Sequence, residues 1–410
     1  MPLRRNRSFV LLWAGQSVSL IGSQVTILAL PLVAAVTLGA NAWQMGVLVA
    51  ASRAPYLMLG LPAGVWIDRL PRRAVFVVCA CGQACSLVVV PLAGALHVLS
   101  LDLLAMVAFV TGAFAVFADI ATLSLVPMVV PRARLTAGQG ALESSQSVAQ
   151  TAGPALAGWL VQMLTAPFAI LADAMSFLFA ASAVARMKIH EPRIGSADKT
   201  GLGRQMADGA RAVFGHRVLR FVTLCTASHI LCYNAFTAVF VLYLVRDLGM
   251  RPSVVGVVLS AGAFGGLVGS MVAGRIGRRL GMDRAMATAI VLAGVSSAAV
   301  ATVTDSSVRS IAVVATSQAV MWFALQIYNV LQVPVRYAVT PETMHGRVNA
   351  TIRTTVWGIA PLGALMGGIA GDLVGLHATL VVSGVGAALA SLWLIVPRTT
   401  RIHDLAVAAQ

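Results

Sequence analysis

Apolar residues in this chain fall into long unbroken blocks, not into alternation. The blocks run roughly over 9–37, 43–66, 74–95, 101–128, 137–163, 166–187, 220–245, 252–275, 284–304, 309–334, 347–374 and 377–397. A helix needs about 20 predominantly apolar residues to cross the hydrocarbon core. Barrel strands would be shorter and strictly alternating. The pattern therefore predicts an all-α integral membrane fold with twelve transmembrane helices. The opening stretch, MPLRRNRSFVLLWAGQSVSL, mimics a secretory signal. Its apolar region nevertheless runs on to Leu38, too long for a cleaved leader, and reads as a first membrane helix left in place.

One polar stretch divides the blocks six and six. This predicts an N-terminal six-helix half over 1–187, a linker over 188–219 and a C-terminal six-helix half over 220–410. The first part of the linker has loop composition, and the second, near Leu202 to Phe214, reads as an amphipathic surface helix. The halves are related by a shift of 210 residues. Leu38-Gly39 falls on Leu248-Gly249, Gly46-Val47 on Gly256-Val257, Ala63-Gly64 on Ala273-Gly274, Pro131 on Pro341, Gly153 on Gly363 and Gly158 on Gly368. A shift containing an even number of spans keeps the orientation, so the repeat is parallel, with its pseudo-two-fold along the membrane normal.

Composition agrees with a lipid environment. The chain is 59% hydrophobic and 10% charged, with a mean hydropathy of +0.87; soluble domains carry about 25% charged residues. The net charge of +15 raises the question of a nucleic-acid partner, and the positions of the charges answer it. With the N-terminus in the cytoplasm, the inner segments hold nearly all the arginines. The outer ones hold Arg246, Arg251 and Arg309. That is the positive-inside asymmetry. It needs no nucleic acid, and it puts both termini in the cytoplasm. Cys79, Cys81, Cys85, Cys225 and Cys232 lie inside apolar blocks without metal-ligand spacing, so no metal and no cofactor are expected.

Residues 64–73, GVWIDRLPRR, gather an aspartate and three arginines at the inner end of the second block. Arginines alone would satisfy the topology rule; Asp68, one turn after Gly64, is not needed for it. Here the chain resembles the major facilitator superfamily, whose signature between its second and third helices is Gly, three residues, Asp-Arg/Lys, any residue, Gly, Arg-Arg/Lys. Gly64, Asp68, Arg69, Arg72 and Arg73 stand at that spacing, with Pro71 in place of the usual glycine. The resemblance implies a gating motif in which Asp68 helps latch the cytoplasmic side. GPALAG, with Gly153, Pro154 and Gly158, resembles the family's antiporter motif, Ala157 replacing one glycine. DAMSF, from Asp173 to Phe177, together with Leu125 to Pro127, resembles the macrolide-efflux and enterobactin-exporter branch. Together these resemblances imply a monomeric secondary exporter of the bacterial cell membrane. It would exchange protons for a small hydrophobic drug or natural product.

A charge at the bilayer centre costs at least roughly 2.5–3.5 kcal/mol on insertion scales. Those read as lying towards the bilayer centre are Arg53, Asp119, Glu143 and Asp173, all in the first half. If the chain is a proton-coupled exporter, Glu143 leads as the proton carrier, because Ser144, Ser145 and Gln146 beside it could solvate a proton path. Asp119 and Asp173 stand in reserve, with Arg53 as their partner. Each also reads as a structural pair or an interfacial charge. The second half offers His229, Asn234, Gln318, Gln326 and Asn329. Phosphate-loop, nucleophile-elbow and zincin motifs are absent, so no enzymatic activity is expected. A siderophore exporter of the same fold and a non-transporting membrane sensor remain the alternatives.

Overall fold

A computed structural model describes residues 6–67, 70–131, 134–187, 202–340 and 344–395. Among the described residues every regular element is a helix. In chain order they are α1 (Arg7–Leu32), α2 (Ala42–Ile67), α3 (Arg72–Ala95), α4 (Leu101–Val129), α5 (Leu135–Leu164), α6 (Ala166–Ala185), α7 (Leu202–Gly215) and α8 (Arg217–Leu242). There follow α9 (Pro252–Leu280), α10 (Met282–Ala299), α11 (Val308–Ala338), α12 (His345–Gly358), α13 (Ala360–Val374), α14 (Leu376–Leu389) and α15 (Leu392–Ile395). Ten spans are long and apolar enough to cross a membrane among the described residues. Residues 188–201 of the expected linker lie outside the description; 202–215 form α7 as the amphipathic pattern predicts.

The 210-residue offset reappears in the backbone. The bounds of α1 recur in α8, the starts of α2 and α3 recur in α9 and α10, and α6 and α14 begin in register. One turn of π-helix closes α1 at Val33–Thr37 and α8 at Tyr243–Asp247. Each is followed by a glycine in the left-handed region, Gly39 (φ 62°) and Gly249 (φ 65°). Duplicated chain ends that share even a rare π-turn share one local solution for leaving the helix.

The repeat is imperfect at one place. α5 is continuous from Leu135 to Leu164, whereas its counterpart is split into α12 and α13 at Ile359. Pro361 has no N–H for a helical bond, and Gly358 lowers the cost of leaving helical geometry. The single span expected over 347–374 is found as one apolar span, Thr351–Val374, broken at Ile359.

The chain forms two compact units. The first gathers described residues from Met1–Ala40, Ala51–Asp198 and Met250–Ser260. There α1 packs on α5 and α6, and α3 packs on α4 and α6, around Phe9, Leu12, Phe76, Leu125 and Val184. The Asn6 side chain caps α1 by accepting from Phe9 N–H, and its Nδ2 donates to Val129 O at the end of α4 (2.6 Å). The second unit gathers Asn41–Ala50, Lys199–Gly249 and Ala261–Gln410, again for the described residues. In it α8 packs on α13 and α14, and α10 packs on α11 and α14, around Cys225, Ile290, Tyr328 and Leu331. The opening turns of α2 and of α9 thus belong to a different unit from the rest of each helix.

α11 begins at an elaborated cap. Ser307 accepts from Ser310 N–H, and Asp305 in the preceding loop accepts from Ser307 N–H (3.2 Å), from Ser307 Oγ (2.9 Å) and from Ser310 Oγ. The Ser310 and Ser307 donors hold the Asp305 carboxyl below its usual range. A depressed carboxylate contributes above its unfolded pKa and is lost as pH falls through the folded value. Asp305→Ala is therefore expected to speed amide exchange in the first turn of α11 at neutral pH. The difference from wild type should vanish in acid, below the ordinary aspartate pKa of about 3.9.

Candidate functional site

The candidate charges of the first unit sit on several helices and meet different surroundings. Asp173 on α6 is 1% exposed. It accepts from Thr26 Oγ1 on α1 and from Ser176 Oγ (3.0 Å). A Cβ on Gly22 of α1 would lie 2.7 Å from Asp173 Oδ1, so only glycine leaves the carboxyl its place. This is a buried carboxyl clipped between two tightly packed helices.

Asp119 on α4 is exposed and accepts from Tyr56 OH on α2 (3.0 Å). α2 and α4 approach closely here because position 112 is glycine. A Cβ there would stand 3.0 Å from Ser52 O and 3.2 Å from Pro55 Cγ. Arg53, also exposed, lies one turn before Tyr56 on α2. The structure therefore brings a carboxylate, a phenol and a guanidinium into one stretch of the α2–α4 seam.

Glu143 on α5 is exposed. Eleven residues separate it from Pro154, close to three full turns, so both share one stripe of the helix. The hydroxyls expected to serve it are engaged elsewhere. Ser144 Oγ donates back to Gly140 O (2.7 Å), and Ser145 Oγ accepts from Trp13 Nε1 (2.9 Å) and from Ser17 Oγ (2.8 Å) on α1. With Gln16 Nε2 donating to Thr122 Oγ1 on α4 (2.6 Å), α1 carries a polar face that ties α4 and α5 to it. The sequence reasoning missed that face, though Gln16, Ser17, Ser19, Ser23 and Gln24 inside an apolar block signal it.

Of the gating motif, Gly64 lies in α2, and Arg72 and Arg73 open α3; Asp68 and Arg69 lie outside the described residues. Arg73 donates to Ala185 O, the last residue of α6, and Arg72 reaches Met128 Sδ on α4 (3.8 Å). A guanidinium at a helix C-terminus answers both an unsatisfied carbonyl and the negative end of the dipole. In the antiporter motif, Gly153 faces Gln24 of α1. Gly158 lies against the first turns of α9, where its Cβ would stand 3.1 Å from Gly256 Cα. Ala155 N–H donates to Ser260 Oγ (2.9 Å).

The second unit holds amides and aromatics, and its Asp372 on α13 accepts from Ala42 N–H of α2 (3.0 Å). On α11, Asn329 Nδ2 donates to Gln326 Oε1 (3.1 Å) and Gln332 Nε2 to Asn329 Oδ1 (3.0 Å). Tyr233 on α8 lies parallel to His229 (centroids 6.4 Å) and edge-on to Trp322 of α11 (5.9 Å). Asn234 turns inward and donates to Ile230 O (2.8 Å). No group of three or more His, Cys, Asp or Glu able to hold a metal occurs among the described residues.

A model of the transmembrane secretion effector family, MFS_3, matches residues 1–409. The chain belongs to that family. It is thus a multi-pass membrane protein and a transporter of the major facilitator type. The multidrug efflux pump Tap of Mycobacterium tuberculosis H37Rv is 28% identical to this transporter over 389 residues, 92% of this chain and 90% of that one. Macrolide efflux protein A of Streptococcus pyogenes is 22% identical, covering 92% of each. In fold, the transporter resembles a bacterial homologue of the iron transporter ferroportin in its inward-facing state. The TM-score is 0.73 at 16% identity, over 95% of this chain and 98% of that one.

Proposed function

We propose that this transporter exports hydrophobic drugs or natural products from the bacterial cell by alternating access, exchanging them for protons. The observation that carries the reading is the recurrence of helix starts at 210 residues, with Asp119, Glu143 and Asp173 inside helices of the first repeat. Parallel repeats are the architecture of secondary transporters, and an intramembrane carboxylate is the group such a machine needs to carry a proton. The names of Tap and macrolide efflux protein A favour drugs as cargo. On this reading α2 and α5, 26 and 30 residues long, join the ten apolar spans to make twelve, six in each half. The halves are 1–187 and 220–410, with 188–219 as the cytoplasmic linker.

Asp119 becomes the first candidate for the proton site, ahead of Glu143. It is reachable, and it has a phenol partner suited to either protonation state. Asp173, sealed and doubly hydrogen-bonded, serves as a clip. Asp68 would latch the cytoplasmic side from beside the Arg72 and Arg73 anchors.

The test is drug accumulation in a pump-deficient bacterium expressing the chain, across a panel of hydrophobic toxic compounds. Lower accumulation of at least one compound, restored by an uncoupler, is expected. Unchanged accumulation of all of them overturns the reading. Orientation has its own test. Cysteines introduced near Ser100 and Ser306 should react with an impermeant reagent in intact cells, and one near Gly201 should not. Labelling of the third from outside would reverse the topology.

A further inference from the structure

Most polar side chains inside the second unit answer one another, as the Gln326–Asn329–Gln332 relay does on α11. Two do not. Gln318, two turns before Gln326 on the same helix, is 2% exposed and its Oε1 has no hydrogen-bond partner. His229 on α8 is 3% exposed; the Ala387 main chain of α14 is its polar neighbour, yet neither ring nitrogen makes a hydrogen bond of acceptable geometry. A buried polar group left unanswered is destabilising, so each such group requires an explanation.

These two groups are not scattered. His229 lies against Tyr233, Tyr233 against Trp322, and Trp322 is one turn from Gln318. They form one line of four residues across α8 and α11. The two aromatic rings in the middle are half-buried, so the line can be reached. α9 yields to it with a glycine. A Cβ on Gly262 would stand 2.7 Å from Trp322 Cδ1 and 3.5 Å from Gln318 Cβ.

We infer that His229, Tyr233, Trp322 and Gln318 form a recognition site for hydroxyl-bearing polycyclic compounds. The chemistry comes from the four side chains. An indole and a phenol ring set at right angles take a flat apolar body against their faces and edges. The amide oxygen of Gln318 wants a donor. Neutral imidazole offers one donor and one acceptor. A hydroxyl both donates and accepts, so a ring system carrying hydroxyls at its ends satisfies both orphans at once. An apolar cation without donors gains only the aromatic contact. Sites built to hydrogen-bond a ligand hydroxyl discriminate strongly against analogues lacking it, because the buried partner is then left unpaired.

This inference rests on the drug-export reading and names its cargo. The test uses the full chain in lipid nanodiscs, with doxorubicin as the hydroxylated polycycle and tetraphenylphosphonium as an aromatic probe without a donor. Gln318→Leu is expected to weaken doxorubicin binding about tenfold, the scale of one lost hydrogen bond. Tetraphenylphosphonium binding should stay unchanged. The melting temperature should hold or rise, since the orphan acceptor is gone. Trp322→Ala should weaken both probes, and Gln318→Met repeats the measurement if the leucine variant fails to fold. Unchanged doxorubicin binding by the folded variant, whether the melting temperature holds or rises, overturns the proposal. A wild-type chain that transports tetraphenylphosphonium but does not bind doxorubicin overturns the ligand class while the export reading stands. Failure to alter accumulation of any compound in cells defeats the export reading and this inference with it.

Discussion

Asp119→Asn is expected to abolish the exchange of substrate for protons while leaving substrate binding intact. The amide keeps the size of the carboxylate, and its oxygen can still accept the Tyr56 hydroxyl bond of 3.0 Å. It cannot take up or release a proton. Losing a positioned proton-transfer group typically costs 10²–10⁴-fold, so substrate-driven proton flux in liposomes should fall by roughly a hundredfold or more. Binding of the same substrate to purified protein should change little. Tyr56→Phe is a milder probe. It removes the phenol's hydrogen bond to Asp119 and should shift the pH profile of transport without eliminating flux. Wild-type exchange by Asp119→Asn would pass the role to Glu143, measured in the same way as Glu143→Gln. If both carboxamides still exchange substrate for protons, the proton-coupled model is wrong.

Asp119 does not stand out in the sequence, and the reason is physical. Burial inside a membrane bundle depends on which stripe of a helix faces which neighbour, and an apolar block looks alike on all sides. The run of hydroxyls beside Glu143 favours that residue, but hydroxyls in helices have competing uses. Ser144 bonds back to the turn before it, and Ser145 faces Trp13 across the α1–α5 packing. Nothing local marks Tyr56 as the partner of a residue 63 positions away. Local features are legible. The apolar blocks anticipate the helices because hydrophobic length is the requirement for a span, and the glycine landmarks at 210 residues anticipate the matching helix ends. The break at Ile359 turns on one proline and one glycine in a block that otherwise reads as a single span.

The same glycines carry the second large prediction. Gly46 and Gly256 are related by the repeat, and so are their contacts. A Cβ on Gly46 would stand 2.7 Å from Ala364 O and 2.9 Å from Gly368 Cα, and one on Gly256 would stand 3.1 Å from Gly158 Cα. The obstacles are backbone atoms, which cannot swing aside as a side chain does. Gly46→Ala and Gly256→Ala must therefore push apart helices that now touch. Overpacking of this kind costs typically 1–3 kcal/mol. On the proposed alternating-access reading, contacts between residues of 1–187 and of 220–410 form and part, so the cost falls on one state. A bias of about 1–3 kcal/mol between two states changes their ratio roughly 5–150-fold. Each variant should fold and melt within a few degrees of wild type yet lose most of its transport, and the double variant should lose more. Gly60→Ala in α2 is the control, because its Cβ would meet nothing within 4 Å. There alanine only improves helix propensity, by up to about 1 kcal/mol, and transport should persist. Full transport by Gly46→Ala and Gly256→Ala would mean that these close approaches hold packing alone and take no part in the cycle.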